Sequence, residues 1–312
     1  MLGEPSVISK YYSDLWEPLV IWVANHVFLL PEDLGRPSDF GDSIFSWVKV
    51  SIKLMIALIG SIIWTFADRK RDNYDRFSYW IIVYVRYFLA FTIFYYGIIK
   101  VFPLQFGQFP NLDRLVSSDG DYSPFQLLWK FMASSPSYTI FTGIVEVVGG
   151  LLLLFRRTTT LGAIILMGAL GNVVKLNIGY DIPVKLFSIN LLLMAVFLVA
   201  IDSKRIISLF LLNKPFSAIE INPPFVKLWM NKAKSVVKLV LIISFLYIQI
   251  KSVSGSIKSK SETPPALYGI YNIESFIKNN DTLPPLTTDT TRWSRMIVNW
   301  GWWGTKVQLM NG

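Results

Sequence analysis

The stretch "TGIVEVVGGLLLLFRR", residues 142–157, combines the features that decide the fold. It is apolar or glycine over most of its length, it holds one carboxylate, Glu146, and it ends on two arginines. An apolar run closed by arginines is typical of a helix that crosses a membrane and reaches the cytoplasmic surface. Because a charged side chain near the bilayer centre costs about 2.5–3.5 kcal/mol, we expect Glu146 to face the interior of a helical bundle.

The composition agrees with a membrane protein and excludes several kinds of site. Residues are 53% hydrophobic and only 16% charged, whereas a soluble domain averages about 25% charged residues. The chain has no cysteine and one histidine, His26. A disulfide framework, thiolate chemistry, a cysteine-held metal centre and a bis-histidine haem are therefore excluded within this chain.

Long apolar runs alternate with short charged connections along the chain. A bilayer core of roughly 30 Å needs about 20 helical residues. A seventh run, 18–30, is shorter and contains His26, and its sequence leaves open whether it crosses or lies in the interface. The six predicted spans are 44–67, 77–102, 138–155, 161–178, 184–201 and 236–253.

The loop charges predict the orientation of these spans. Loop 68–76 carries four cations, loop 156–160 carries two and segment 202–235 carries six, whereas the alternate connections are poor in lysine and arginine. The positive-inside rule therefore places these three segments in the cytoplasm of a bacterial plasma membrane and the C-terminus outside. The net charge of +9 is explained by this topology, so no nucleic-acid partner is expected.

The sequence predicts four segments. They are 1–76 with the N-terminal helices and the first cytoplasmic loop, 77–201 as the core with an outer insert at 103–137, 202–253 with a basic cytoplasmic stretch and the last span, and 254–312 as an outer tail. Within the insert, Ser123 as N-cap and Pro124 at the first helical position predict a short helix along the outer interface.

The tail changes to strand-forming composition. The runs "LYGIYNIESFI" (267–277), "RWSRMIVNW" (292–300) and "TKVQLMNG" (305–312) predict three strands. We expect this β unit to be incomplete, so that either further chain or a protein partner completes the sheet. The tail tryptophans would form a binding face, or else pack in the core or on the membrane surface; they are Trp300, Trp302 and Trp303.

The partner of Glu146 is predicted from depth. At a rise of about 1.5 Å per residue, Glu146 lies roughly 13 Å from the inner end of its span at residue 155. Arg86, counted from residue 77, reaches about the same depth from the same side, whereas Lys53 lies roughly 21 Å in. We therefore expect Glu146 and Arg86 to form a buried ion pair.

A second polar group lies toward the outer ends of the spans. If its members face inward they line a cationic pocket for an anionic or polar head group. Alternatively the lysines reach the interface and the asparagines cross-link helices. The members of this outer cluster are Lys53, Asn172, Lys175, Asn177, Asp181, Lys185 and Asn190.

Glycines predict tight packing between two spans. The short loop 156–160 makes the spans before and after it antiparallel neighbours. Small residues let helix backbones approach closely, and the relevant positions are Gly143, Gly149 and Gly150 on one span and Gly162, Ala163, Gly168 and Gly171 on the next.

Two stretches resemble the DoxX-like family of small membrane proteins. "RYFLAFTIFYYGIIKVF" (86–102) is similar to the first helix of that family, and "EVVGGLLLLFRRTTTLGAIILMGAL" (146–170) is similar to its second helix and turn. "SPFQLLWKFMASSPSYTIFTGIVEVVGG" (123–150) and "NIGYDIPVKL" (177–186) resemble a longer branch with extra helices and an outer C-terminal domain. The resemblance covers about 77–201 and implies a four-helix core. It also implies an association with quinone-linked or thiol-linked redox systems, including a thiosulfate:quinone oxidoreductase subunit.

Three functions follow as expectations. The favoured one is a non-catalytic membrane subunit or scaffold whose bundle binds an amphiphile such as a quinone or lipid. The contacts would come from Glu146, Arg86 and Tyr95 or Tyr96. No cofactor held by the chain itself, no catalytic residue and no metal site is expected. Redox chemistry would then come from partner subunits of a quinone-linked oxidoreductase. The second is an assembly protein whose outer tail docks a protein partner. The third is an anion transporter that uses the outer lysines, although no inverted repeat is evident.

Overall fold

The computed structural model of the protein describes residues 7–30, 41–71, 73–106, 112–116, 120, 122–215, 228–260, 266–299 and 305–310. Helices dominate this part of the chain. They are α1 (Val7–His26), α2 (Ile44–Ala67), α3 (Asp75–Val101), α4 (Leu112–Val116), α5 (Pro124–Ser134), α6 (Pro136–Leu153), α7 (Thr159–Gly179), α8 (Lys185–Ile201), α9 (Ser203–Phe210) and α10 (Leu228–Lys260). The strands are β1 (Gly269–Asn272), β2 (Ile277–Lys278), β3 (Asp281–Thr282), β4 (Trp293–Val298) and β5 (Thr305–Leu309).

Five of the described helices, α2, α3, α6, α7 and α10, are long and apolar enough to cross a membrane. A sixth span results if α8 and α9, which are bent by 70° at Asp202, count as one. These helices coincide with the six predicted apolar runs. Helix α1 contains Pro18 and is not one of the apolar helices found among the described residues.

The apolar helices expose much of their surface. Only 6% of the apolar window of α2 and 11% of that of α10 are buried within the protein. Soluble monomers rarely expose continuous apolar patches of this extent. The pattern is compatible with a membrane helical bundle.

The packing divides the chain into two compact units. One comprises Met1–Gly97 and Val145–Glu220, and the other comprises Ile98–Ile144 and Ile221–Gly312. The boundaries fall inside α3 and α6, so each of these helices contributes to both units. The four segments predicted from the sequence concern membrane topology, which this division does not test.

In the first unit, α1 and α2 pack as a hairpin. Lys49 and Lys53 of α2 place their ammonium groups 4.7 and 5.6 Å from the ring centre of Tyr12, a distance at which a cation is attracted to the ring face. The buried residues of the hairpin are Val20, Val23, Ala24, Phe45, Val48 and Ile52.

In the second unit, α5 begins as its sequence predicts. The backbone N–H of Gln126 donates to Ser123 Oγ (3.3 Å), and the N–H of Ser123 donates to Gln126 Oε1 (2.9 Å). This reciprocal capping box satisfies two N–H groups that a helix start leaves unpaired. Thr139 Oγ1 of α6 then donates to the carbonyl of Met132 (2.7 Å), which joins α5 to α6.

The tail forms a three-stranded antiparallel sheet in the order β1-β4-β5. Ile270 of β1 pairs with Ile297 of β4, and Met296 of β4 pairs with Val307 of β5. The three predicted strands are thus confirmed, while Trp300, Trp302 and Trp303 lie outside the described residues.

A buried arginine holds the tail together beneath this sheet. Arg292 is 2% exposed. Its guanidinium donates to the carbonyls of Leu283 (2.9 Å), Glu274 (3.1 Å) and Trp293 (3.2 Å). Because buried carbonyls need partners, this one side chain fixes the connection between β1 and β4.

Candidate functional site

Glu146 lies close to glycines that pack tightly in the first unit. A Cβ atom added to Gly162 of α7 would lie 2.9 Å from the carbonyl oxygen of Gly149 in α6. A Cβ atom added to Gly150 would lie 3.1 Å from the carbonyl oxygen of Ala90 in α3. The close approach of α6 and α7 is as predicted, whereas the contact of Gly150 with α3 was not predicted, and Gly168 and Gly171 have no such contact.

Glu146 is buried one turn before Gly150, with 3% of its surface exposed. Its side chain is close enough to Tyr96 of α3 for the two groups to interact electrostatically. Gly150 lies between Ala90 and Phe94 of α3. Going back one turn along α6 from Gly150 to Glu146 corresponds to going forward along α3 toward Tyr96, so α3 and α6 run antiparallel.

Arg86 lies elsewhere along α3. It is ten residues before Tyr96, or about 15 Å along the helix axis, and so about level with residue 156 at the end of α6. Its guanidinium lies 4.9 Å from the ring centre of Tyr87, and its buried Nε has no hydrogen-bond partner in the described part of the chain. Glu146 therefore lies within electrostatic reach of Tyr96, while the register of the two helices places Arg86 about 15 Å away from it along the helix axis.

The physical reason is the register of the two helices. Counting depth from the helix ends assumes that α3 and α6 end at the same level. The contact of Gly150 with Ala90 instead places the end of α6 well inside the length of α3. The two helices also differ in length, with 27 residues in α3 and 18 in α6.

Two aromatic rings surround the Tyr96 side of this site. The ring of Phe187 in α8 lies 6.0 Å from that of Tyr96, and the ring of Tyr95 lies 5.4 Å away in an edge contact. Tyr95 itself is 41% exposed. Of the two tyrosines predicted to contact a ligand, Tyr96 faces Glu146 and α8, whereas Tyr95 lies on the exposed face of α3.

The predicted outer cluster separates into groups. Lys53 lies against Trp16, with its ammonium 5.3 Å from the ring centre, while Asn172 and Lys175 are exposed. Asn190 donates to the carbonyl of Leu186 within its own helix (2.8 Å). The seven residues therefore do not line a common pocket among the described residues.

The remaining members of the outer cluster join α7 and α8. Buried Asn177 Nδ2 donates to Ser188 Oγ (3.0 Å), which is the helix cross-link considered as the alternative for the asparagines. Lys185 Nζ lies 2.6 Å from Asp181 Oδ1. Asp181 occupies the left-handed backbone region (φ 51°), which aspartate tolerates better than most residues.

Sequence reasoning missed Asp42, which organises this end of the unit. Its two carboxylate oxygens accept hydrogen bonds from the backbone N–H groups of Lys185 (2.6 Å) and Leu186 (3.0 Å). A carboxylate is stabilised at a helix N-terminus by the unpaired N–H groups and the helix dipole. Asp42 lies 143 residues away in sequence from Lys185, so no local pattern could have shown this contact.

A second omission is Lys100 of α3, which is 7% exposed. A lysine so strongly buried is rare in proteins. The exposed fraction is what reveals it.

Comparison with known proteins places the chain among relatives whose role is undetermined. No family model matches the sequence, and no solved structure is significantly similar to it. A segment of 125 residues, 40% of this chain, is 35% identical to the uncharacterized protein YwoB of Bacillus subtilis (strain 168). The match covers 79% of YwoB, so nearly the whole of that protein has a counterpart here. The chain therefore belongs to the same family as YwoB.

Proposed function

We propose that the protein is a non-catalytic integral membrane protein whose helical bundle binds the polar head of an amphiphile, a quinone or a lipid, between Glu146 and Tyr96. The observation that carries the proposal is a buried carboxyl group within electrostatic reach of a phenol, near the glycines that bring α6 into close contact with α3 and α7. Ionisable groups inside apolar helical bundles usually mark ligand or proton sites.

The two groups have complementary hydrogen-bonding capacity. The Tyr96 hydroxyl donates one hydrogen bond and accepts others, and a carboxyl group either accepts or, when protonated, also donates. A quinone carbonyl or a lipid hydroxyl would hydrogen-bond to these groups, while its apolar chain would leave along the exposed face that carries Tyr95. The proposal retains Tyr95 as a contact at the rim and removes Arg86 from the site.

The membrane orientation belongs to the same proposal. The loops 68–76, 156–160 and 202–235 lie in the cytoplasm and the tail lies outside a bacterial plasma membrane, which the loop charges support. The proposal also includes a DoxX-like core for residues 77–201. It is supported by the quoted sequence similarities, and it implies that any redox chemistry at a bound quinone is performed by partner proteins.

The experiment compares amphiphiles that co-purify with the wild-type chain and with the variants Glu146→Gln and Tyr96→Phe. Quinones and lipids extracted from each folded, monodisperse sample are measured by mass spectrometry. Arg86→Gln is the matched control, since it removes a buried charge about 15 Å from Tyr96 along α3. We expect both site variants to lose one amphiphile that the control retains; equal amphiphile content in all four samples would refute the proposal.

A second role is favoured by the tail sheet. Among the described residues, β1 and β5 each pair with β4 alone, so each has one edge that can receive a further strand. We propose that a protein partner docks there. Cross-linking in intact membranes followed by mass spectrometry tests it: cross-links from Lys306 of β5 to a defined partner are expected, and cross-links confined to this chain would argue against docking.

A further inference from the structure

A bend between two helices forms a basic surface in the first unit. Helix α9 leaves α8 at 70°. Thr160, at the start of α7, donates a hydrogen bond to the carboxylate of Asp202 at the bend. Arg205 Nη1 lies 3.8 Å from the same carboxylate. Residues 156–160 and 202–205 are thus joined into one surface, named here the basic ledge.

The ledge is held from the α6 side by its threonines. Thr158 Oγ1 donates to the carbonyl of Leu152 (2.7 Å), and Thr159 Oγ1 donates to that of Phe155 (3.0 Å). These bonds supplement the backbone hydrogen bonds that the N–H groups of Phe155 and Thr158 donate to the same two carbonyls. The threonines therefore fix the backbone of the turn, while the neighbouring arginines extend outward.

The charge of the ledge is strongly positive. Its nine residues include four cations, Arg156, Arg157, Lys204 and Arg205, and one acid, Asp202. The acid is engaged by Thr160 and Arg205. Arg157 and Lys204 are exposed, so their charge is available to an anion.

Apolar side chains border the ledge on both sides. Phe155 and Leu161 flank the turn and are 58% and 55% exposed. Beyond the ledge, the last residues of α9 and those after it form an apolar tip that is exposed throughout. The tip consists of Leu209 (47% exposed), Phe210 (72%), Leu211 (78%) and Leu212 (53%).

We propose that the basic ledge and the apolar tip form a binding site for an anionic phospholipid, whose headgroup phosphate contacts Arg157 and Lys204 while its acyl chains lie against Phe210 and Leu211. A short helix with cations at one end and large apolar residues at the other suits the boundary between headgroups and acyl chains. Anionic headgroups attract each nearby lysine or arginine. The site rests on the membrane location proposed above and is separate from Glu146.

The exposed apolar tip distinguishes a phospholipid from other anions. Inorganic phosphate or a nucleic acid would use the four cations but would leave Phe210, Leu211 and Leu212 in water. A phospholipid covers both halves of the site. Charge and apolar complementarity therefore favour the lipid.

The test uses the delipidated full chain in detergent and native mass spectrometry with phosphatidylglycerol or phosphatidylcholine of the same acyl chains. The variant Arg157→Gln/Lys204→Gln removes the two exposed cations of the ledge. Lys175→Gln/Lys278→Gln is the matched control, because it removes two exposed cations elsewhere. Phe210→Ser tests the apolar half of the site.

We expect wild type and the control to prefer phosphatidylglycerol, and the ledge variant to bind it about 25-fold more weakly, from about a fivefold loss for each of the two cations. Phe210→Ser should weaken both lipids, and excess inorganic phosphate should not displace phosphatidylglycerol. Unchanged binding by the ledge variant, or an equal loss in the control, would overturn the site. Displacement by inorganic phosphate would show a free-anion site instead.

Discussion

At the scale of single residues, the sequence identifies ionisable groups in apolar surroundings but not their neighbours. Glu146 is recognisable because a carboxylate interrupts an apolar run. Its neighbour depends on how far α6 is displaced along α3. The contact of Gly150 with Ala90 sets this displacement, so that Glu146 lies near Tyr96 and not at the level of Arg86. Asp42 was missed for a related reason, since its partners belong to a helix far along the chain.

A residue-scale prediction concerns Asp289 in the tail. Its Oδ1 accepts hydrogen bonds from the backbone N–H of Thr291 (2.7 Å), the Thr291 hydroxyl (2.9 Å) and the N–H of Arg292 (3.1 Å). These bonds lower the pKa of the Asp289 carboxyl from its usual value, and the bond from the Thr291 N–H has the largest effect. Because the folded pKa is the lower one, its contribution to stability is present above the unfolded pKa and disappears as the pH falls through the folded pKa.

We therefore expect the turn before β4 to keep its hydrogen bonds down to a pH below the usual pKa of aspartate and to lose them in stronger acid. Nuclear magnetic resonance of the Thr291 and Arg292 amides during acid titration measures this transition. Asp289→Asn should abolish it, while Asp281→Asn serves as the control. A transition at or above the usual aspartate pKa would contradict the account.

At the scale of helices and strands, composition and periodicity predict most elements, and tertiary contacts decide the rest. The long apolar helices and the capped start of α5 are confirmed because their signals are local. Helix α9 is too short and too basic to be distinguished from a loop. The β2–β3 hairpin was not predicted, and its two-residue turn requires the left-handed conformations that Asn279 and Asn280 adopt (φ 53° and 69°).

Two glycines of α7 give an element-scale prediction. A Cβ atom at Gly162 would lie 2.9 Å from the backbone oxygen of Gly149, whereas one at Gly168 would meet nothing within 4 Å. We expect Gly162→Ala to destabilise the protein by about 1–3 kcal/mol through overpacking of α6 against α7. Gly168→Ala should stabilise it by about 0.5–1 kcal/mol, because alanine favours the helix more than glycine does.

Thermal unfolding of the two purified variants in the same detergent measures this difference. The pair is internally controlled, since both substitutions are identical and lie on one helix. Equal changes in melting temperature would mean that α6 and α7 do not pack through Gly149 and Gly162.

At the scale of the whole molecule, the distribution of charge predicts the membrane topology. Because the chain has no cysteine, a single introduced cysteine can be labelled specifically to test this topology. Single cysteines are introduced at Lys70, in the first basic loop, and at Lys278, in the tail; both side chains are exposed. We expect a membrane-impermeant maleimide to label Lys278→Cys in intact cells and Lys70→Cys only after lysis. Labelling of Lys70→Cys in intact cells would reverse the orientation.

The central claim is that Glu146 acts together with Tyr96 inside the bundle, and a double-mutant cycle tests it most directly. Free energies of unfolding are measured for Glu146→Gln, Tyr96→Phe and Arg86→Gln, and for the two double variants that contain Glu146→Gln. We expect an interaction energy of about 0.5–3 kcal/mol between Glu146 and Tyr96, and additivity within about 0.5 kcal/mol between Glu146 and Arg86. Coupling to Arg86 with additivity at Tyr96 would contradict the account.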